Sequence, residues 1–207
     1  TSGGGAVFAV AIVIESGSFT VAHSWTSGNT SQGGGVFGQR ASVDAGLLHV
    51  AGCKTSGGES PGGGIFLDSW SSTNSSLEID GCYTSGESSG GGGLALTVAA
   101  AVSRGSSWRV DRCATLGEGS PGGAVNLLKS FEVGWTVSIS GNTSASQSPG
   151  GGLYAGGPVY VVPGGVLNIS NSSSVHNSSD GGALFSWGSI EVNSSALVVS
   201  SSASATP

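Results

Sequence analysis

The sequence predicts an all-β chain wound as a single-stranded parallel β-helix, a β-solenoid of about seven coils of 28–31 residues. Three observations predict it. A glycine cluster recurs in register at Gly3, Gly33, Gly62, Gly91, Gly122, Gly150 and Gly181, at spacings of 30, 29, 29, 31, 28 and 31. An apolar-x-apolar triplet recurs about fifteen residues later, beginning at Phe19, Leu48, Leu77, Trp108, Val137, Leu167 and Leu197, at spacings of 29, 29, 31, 29, 30 and 30. Between them, apolar residues repeat at i and i+2, with no sustained helical period. Two columns that hold one register for seven repeats mark a solenoid, a propeller or an array.

Each element of the repeat has its own justification. The glycine corner permits positive φ and a tight turn. It leads into an apolar segment: Ala6-Val7-Phe8, Val36-Phe37, Ile65-Phe66, Leu94-Ala95-Leu96, Val125-Asn126-Leu127, Leu153-Tyr154 and Leu184-Phe185. A variable middle follows, then the alternating strand, then a Ser/Gly/Asn/Thr turn that often ends in proline, at Pro61, Pro121, Pro149 and Pro207. One such unit cannot bury its own apolar face. Stacked at about 4.8 Å per coil, seven units form continuous apolar ladders in a rod of about 34 Å. A propeller blade needs four strands in about 40–50 residues, more than this repeat supplies. The whole chain, 1–207, therefore reads as one elongated domain.

Composition bounds the function. Glycine (39 residues) and serine (41) suggest a flexible linker, but 37% hydrophobic residues fall in register and demand burial. Charged residues are only 9%, and six Lys+Arg in a chain of net charge −6 leave no basic footprint for nucleic acid or an anionic membrane. The longest apolar run, Ala6–Ile14, is too short to span a bilayer and reads as a buried strand. The chain also reads as a mature or excised segment.

The segments Ile139-Ser140-Gly141-Asn142-Thr143-Ser144 with Gly150-Gly151-Gly152-Leu153-Tyr154, and Ile169-Ser170-Asn171-Ser172-Ser173 with Gly181-Gly182-Ala183-Leu184-Phe185, resemble the GGA-I-Y repeats of right-handed β-helix surface proteins. That group includes the polymorphic outer-membrane proteins and related adhesin-like solenoids. The resemblance spans all seven repeats. It implies an extracellular, elongated, non-catalytic protein.

Aligned by the period, Cys53, Cys82 and Cys113 share a column with Ser24, Asn142, Ser172 and Ser202. Stacked neighbours about 4.8 Å apart fall within disulfide range, so one bridge and one free thiol is one reading and a ladder of small residues the other. A straight ladder cannot wrap a tetrahedral ion, and no cofactor is expected. The outward strand column runs Thr20, His49, Glu78, Arg109, Ser138, Asn168, Val198, and Asp80 and Asp111 stack beside Arg112. Carboxylates with a basic partner are what a polysaccharide-cleaving β-helix would use for acid–base work or calcium. Two stacked aspartates are a thin basis for it, and the expectation is a protein that is not an enzyme. A hydroxyl column (Thr26, Thr55, Thr84, Thr115, Ser144, Ser174, Ser204) reads as a turn ladder bonded to backbone rather than an ice- or glycan-facing stripe.

Seven of eight asparagines, Asn29, Asn74, Asn142, Asn168, Asn171, Asn177 and Asn193, begin an N-x-[ST] sequon, and Asn126 does not. Serine and threonine make up about a quarter of the chain, so chance would place about two. The surplus points to a secreted or cell-surface glycoprotein with covalent glycans on these residues. The leading expectation is thus an extracellular structural solenoid. Pro207 precedes Thr1-Ser2-Gly3 in the same way that Pro61 precedes its glycines, so the period continues if copies join. That continuity predicts head-to-tail homopolymers forming a filament or matrix. An adhesin stalk and a carbohydrate-active enzyme are the alternatives.

Overall fold

The computed structural model describes residues 5–144, 148–175, 181–200 and 203–205. Within them the chain is a parallel β-solenoid without helices. Each coil visits three sheets in turn. The second sheet stacks seven strands: Gly17–Ala22, Gly46–Ala51, Ser76–Asp80, Ser107–Asp111, Thr136–Ser140, Val166–Ser170 and Ala196–Ser200. The third stacks seven shorter strands, from Trp25–Ser27 to Ala203–Ala205. In the first sheet, three coils contribute one long strand each, Val7–Ile14, Val36–Asp44 and Ile65–Thr73. The remaining coils break that strand in two, as in Leu94–Leu96 and Ala100–Val102.

The expected register is the observed one. Val50 pairs with Ile79, Ile79 with Val110, Val110 with Ile139 and Ile139 with Ile169, and all five are buried. Period-2 alternation turns these side chains inward and His49, Glu78 and Arg109 outward. A core aromatic stack joins Trp70, Trp108 and Phe131, with ring centroids 5.8 and 5.4 Å apart. The run Ala6–Ile14 departs from expectation. Ile12 and Ile14 face the core, while Phe8, Val10 and Val13 are exposed, Val13 in register with the equally exposed Ser42.

Two backbone devices turn the coil. One glycine at the same position of each described coil has positive φ, from 62° to 74° across Gly33, Gly62, Gly91, Gly122, Gly150 and Gly181. The bend between the second and third sheets uses one left-handed residue per coil: His23, Gly52, Gly81, Arg112, Gly141 and Asn171. A buried serine ladder locks the next corner. The backbone N–H groups of Ser31, Ser60, Ser89 and Ser120 donate to the hydroxyls of Ser60, Ser89, Ser120 and Ser148 at 2.8–3.0 Å. Corner N–H groups that no strand could pair thus find partners in the adjacent coil.

Candidate functional site

The outward face of the second sheet gathers the chain's densest charge. Asp80 and Asp111 sit on adjacent coils in register. Arg112, at the left-handed bend, reaches back one coil and grips Asp80 with two nitrogens, Nε donating to Oδ1 at 2.8 Å. Arg109 donates through Nε to Asp111 Oδ2 at 2.6 Å, and Ser140 Oγ donates to Asp111 Oδ1 at 2.5 Å. Both guanidinium pKa values are raised, that of Arg109 chiefly by its hydrogen bond to Asp111 and that of Arg112 chiefly by its hydrogen bond to Asp80. Glu78 and His49 complete an open depression over these coils. Arg109 and Arg112 are each committed to an aspartate, so the face carries a mat of paired ions with Glu78 beside it. Among the described residues no group of three or more His, Cys, Asp or Glu side chains converges on a metal position.

The hydroxyl column points into the rod. Thr55, Thr84 and Thr115 are fully buried and donate to the carbonyls of Ser60, Ser89 and Ser120 at 2.7, 2.6 and 2.9 Å, each closing its own turn. Thr26 and Ser174 are buried as well, so this column is no surface stripe. The side chains of Ser144 and Ser204 lie outside the described residues. The tryptophans have separate surroundings. Trp70 and Trp108 are core residues, Trp25 is capped by Lys54 and Trp135 by Arg104, and Trp187 donates its indole N–H to the Tyr154 hydroxyl at 2.7 Å.

The sequons divide by position. Asn29, Asn74, Asn171 and Asn193 are exposed, Asn168 is half-buried in mid-strand, and Asn177 lies outside the described residues. Asn29 accepts from the Gly58 N–H through Oδ1, which leaves its amide nitrogen for a sugar. Asn142 corrects the expectation of glycosylation. It is fully buried in the cysteine column, accepts from the Cys113 N–H at 2.8 Å and donates to the Val110 carbonyl. A glycan there is incompatible with the coil. Intact mass of protein secreted by eukaryotic cells, before and after deglycosylation, should show sugar on the exposed sites. Asn142→Gln should leave that glycan mass unchanged. Asn168 and Asn171 should not be fully occupied together.

Cys53, Cys82 and Cys113 are buried free thiols. The neighbouring thiol and burial push Cys53 well above the ordinary range, and the hydrogen bond with Cys113 does the same for Cys82. A raised folded-state pKa stabilises the fold fully below the unfolded value, about 9.0, and that contribution is lost as pH rises beyond it. Thermal stability should therefore fall above about pH 9, and Cys53→Ser with Cys82→Ser should flatten that decline. Compared with protein-family models, curated proteins and solved structures, the chain matches none of them.

Proposed function

We propose that this chain is a structural extracellular rod: a glycan-bearing, non-catalytic solenoid that extends head to tail with copies of itself into a filament or matrix. One observation carries the reading. Column residues buried on interior coils are exposed on the outermost described ones. Ile139 and Ile169 are fully buried, whereas Val199 in the same column is 47% exposed; Val159 and Val161 are buried, whereas Ile190 and Val192 are 44% and 42% exposed. At the opposite end the strand Val7–Ile14 pairs on one side only and leaves its other edge open. Another coil of the same cross-section would bury the uncovered column of the last coil and pair the open edge at both ends. Such a contact joins unlike ends, so it repeats without closing. The exposed sequons at Asn29, Asn74, Asn171 and Asn193 favour an extracellular setting, and the ion-paired mat around Asp80 and Asp111 favours a scaffold over catalysis.

Sedimentation velocity across a concentration series, with electron microscopy of the same samples, tests the proposal. Rods longer than the roughly 34 Å of seven coils, growing with concentration, are expected. A monodisperse monomer at high concentration would sink it.

A further inference from the structure

All three cysteines of the chain occupy one interior column, on three consecutive coils, at 0–1% exposure. The strands just before them are in register, Val50 with Ile79 and Ile79 with Val110, so the three side chains enter the core in parallel. Successive sulfurs are then separated by about one coil advance, about 4.8 Å. The Cys53 N–H points at Cys82 Sγ, 3.4 Å away. Glycine backs every sulfur: a Cβ at Gly35, Gly64 or Gly93 would lie 2.9, 3.1 and 2.9 Å from the Sγ of Cys53, Cys82 and Cys113.

We propose that this ladder is a site for a soft, two-coordinate d10 cation, of the Hg(II), Ag(I) and Cu(I) class, held between Cys82 and one neighbouring cysteine. A tetrahedral ion needs four convergent ligands, which a straight column lacks. A linear ion needs two. Two metal–thiolate bonds of about 2.3 Å span about 4.6 Å, close to the coil advance. The Cβ–Sγ bonds run across the rod and the sulfur–metal bonds along it, so they meet near the right angle that a thiolate sulfur favours. Thiolates also select soft ions over calcium or magnesium.

The chemistry balances without an oxidant. With Hg(II), two S–H bonds break, two Hg–S bonds form, and two protons leave to solvent. The product carries no net charge, which suits an apolar interior. The Cys53 N–H remains aimed at the Cys82 sulfur and offsets part of the burial penalty on its thiolate. Because protons are displaced, binding strengthens with pH. The site is independent of the filament reading.

Titration of the folded chain with mercuric chloride, followed by native mass spectrometry and proton release, tests the proposal. One retained ion and two released protons per chain are expected, with one thiol still free after unfolding. Cys53→Ser and Cys113→Ser should each keep the ion, because each leaves an adjacent pair. Cys82→Ser should lose it, since the remaining sulfurs lie two coils, about 9.6 Å, apart. Serine fits this column, as buried Ser172 demonstrates. Should Cys82→Ser fail to fold by circular dichroism, the Cys53→Ser/Cys113→Ser double variant replaces it, with the same expected loss. Ion counts that track thiol number, or a variant without an adjacent pair that binds as tightly as Cys113→Ser, overturn the proposal. So does a disulfide at Cys82 in the secreted protein.

Discussion

Gly63→Ala is expected to give a chain with no cooperative thermal transition. Gly63 belongs to the second column of the glycine clusters, with Gly34, Gly92, Gly123 and Gly151. A Cβ there would sit far inside 3.0 Å of the Gly92 and Tyr83 carbonyl oxygens. Both are backbone atoms of residues whose N–H groups bond adjacent coils, Gly92 to Gly123 and Tyr83 to Cys53, so neither yields readily, and a loss above about 4 kcal/mol is expected. Graded controls separate this crowding from backbone strain. Gly81 has φ of 60° and nothing within 4 Å of an added Cβ. Gly81→Ala should cost only about 1–2 kcal/mol, the penalty of the left-handed conformation. Gly58, whose nearest neighbours stand at 3.9 Å, should accept alanine with little change. Equal effects at all three glycines, read by thermal denaturation, would refute the packing argument.

Ile79→Asp has the second largest expected effect. Ile79 is 1% exposed, between Val50 and Val110 in the central ladder. A carboxylate there would have apolar neighbours above and below and no partner, costing several kcal/mol. Ile79→Val should cost about 0.5–1.5 kcal/mol. On the other face of the same strand, Glu78→Ala should fall within about 0.5 kcal/mol. Chemical denaturation of the three variants checks the order. A tolerant Ile79 beside a sensitive Glu78 would mean that the strand faces are assigned the wrong way round.

The coil plan was legible because it depends on period alone. Glycine columns and alternating triplets fall at fixed offsets, and stacking forces equivalent residues together. The buried serine ladder was written just as regularly, with Ser31, Ser60, Ser89, Ser120 and Ser148 each two residues before the positive-φ glycine of its coil. Among 41 serines that regularity does not stand out, and a serine carries no hydropathy signal to mark it as internal. The break in the first sheet was illegible for a different reason. The stretch from Leu94 to Val102 is the more continuously apolar of the two, yet it is the one that breaks, while Ile65–Thr73, with Asp68 and several serines, runs as one strand, so hydropathy points the wrong way. Asn142 was misjudged through its sequon, although its place in the cysteine column already implied burial. A local motif says what an enzyme could recognise in an unfolded chain, whereas the column says where the side chain ends up.

The backbone bonds that join coils connect residues about thirty apart, such as Gly33 to Pro61, Gly62 to Gly90 and Tyr83 to Cys53. This has a kinetic consequence. Every coil closes a loop of nearly the same length, so the entropic cost of closure does not grow as the rod lengthens. The slow event is the first stacked pair, and each later coil condenses on a finished template. A ribosome adding roughly 5–20 residues per second delivers one coil every few seconds. Folding can therefore proceed vectorially, in step with synthesis, with little more than a single unfinished coil exposed at any moment.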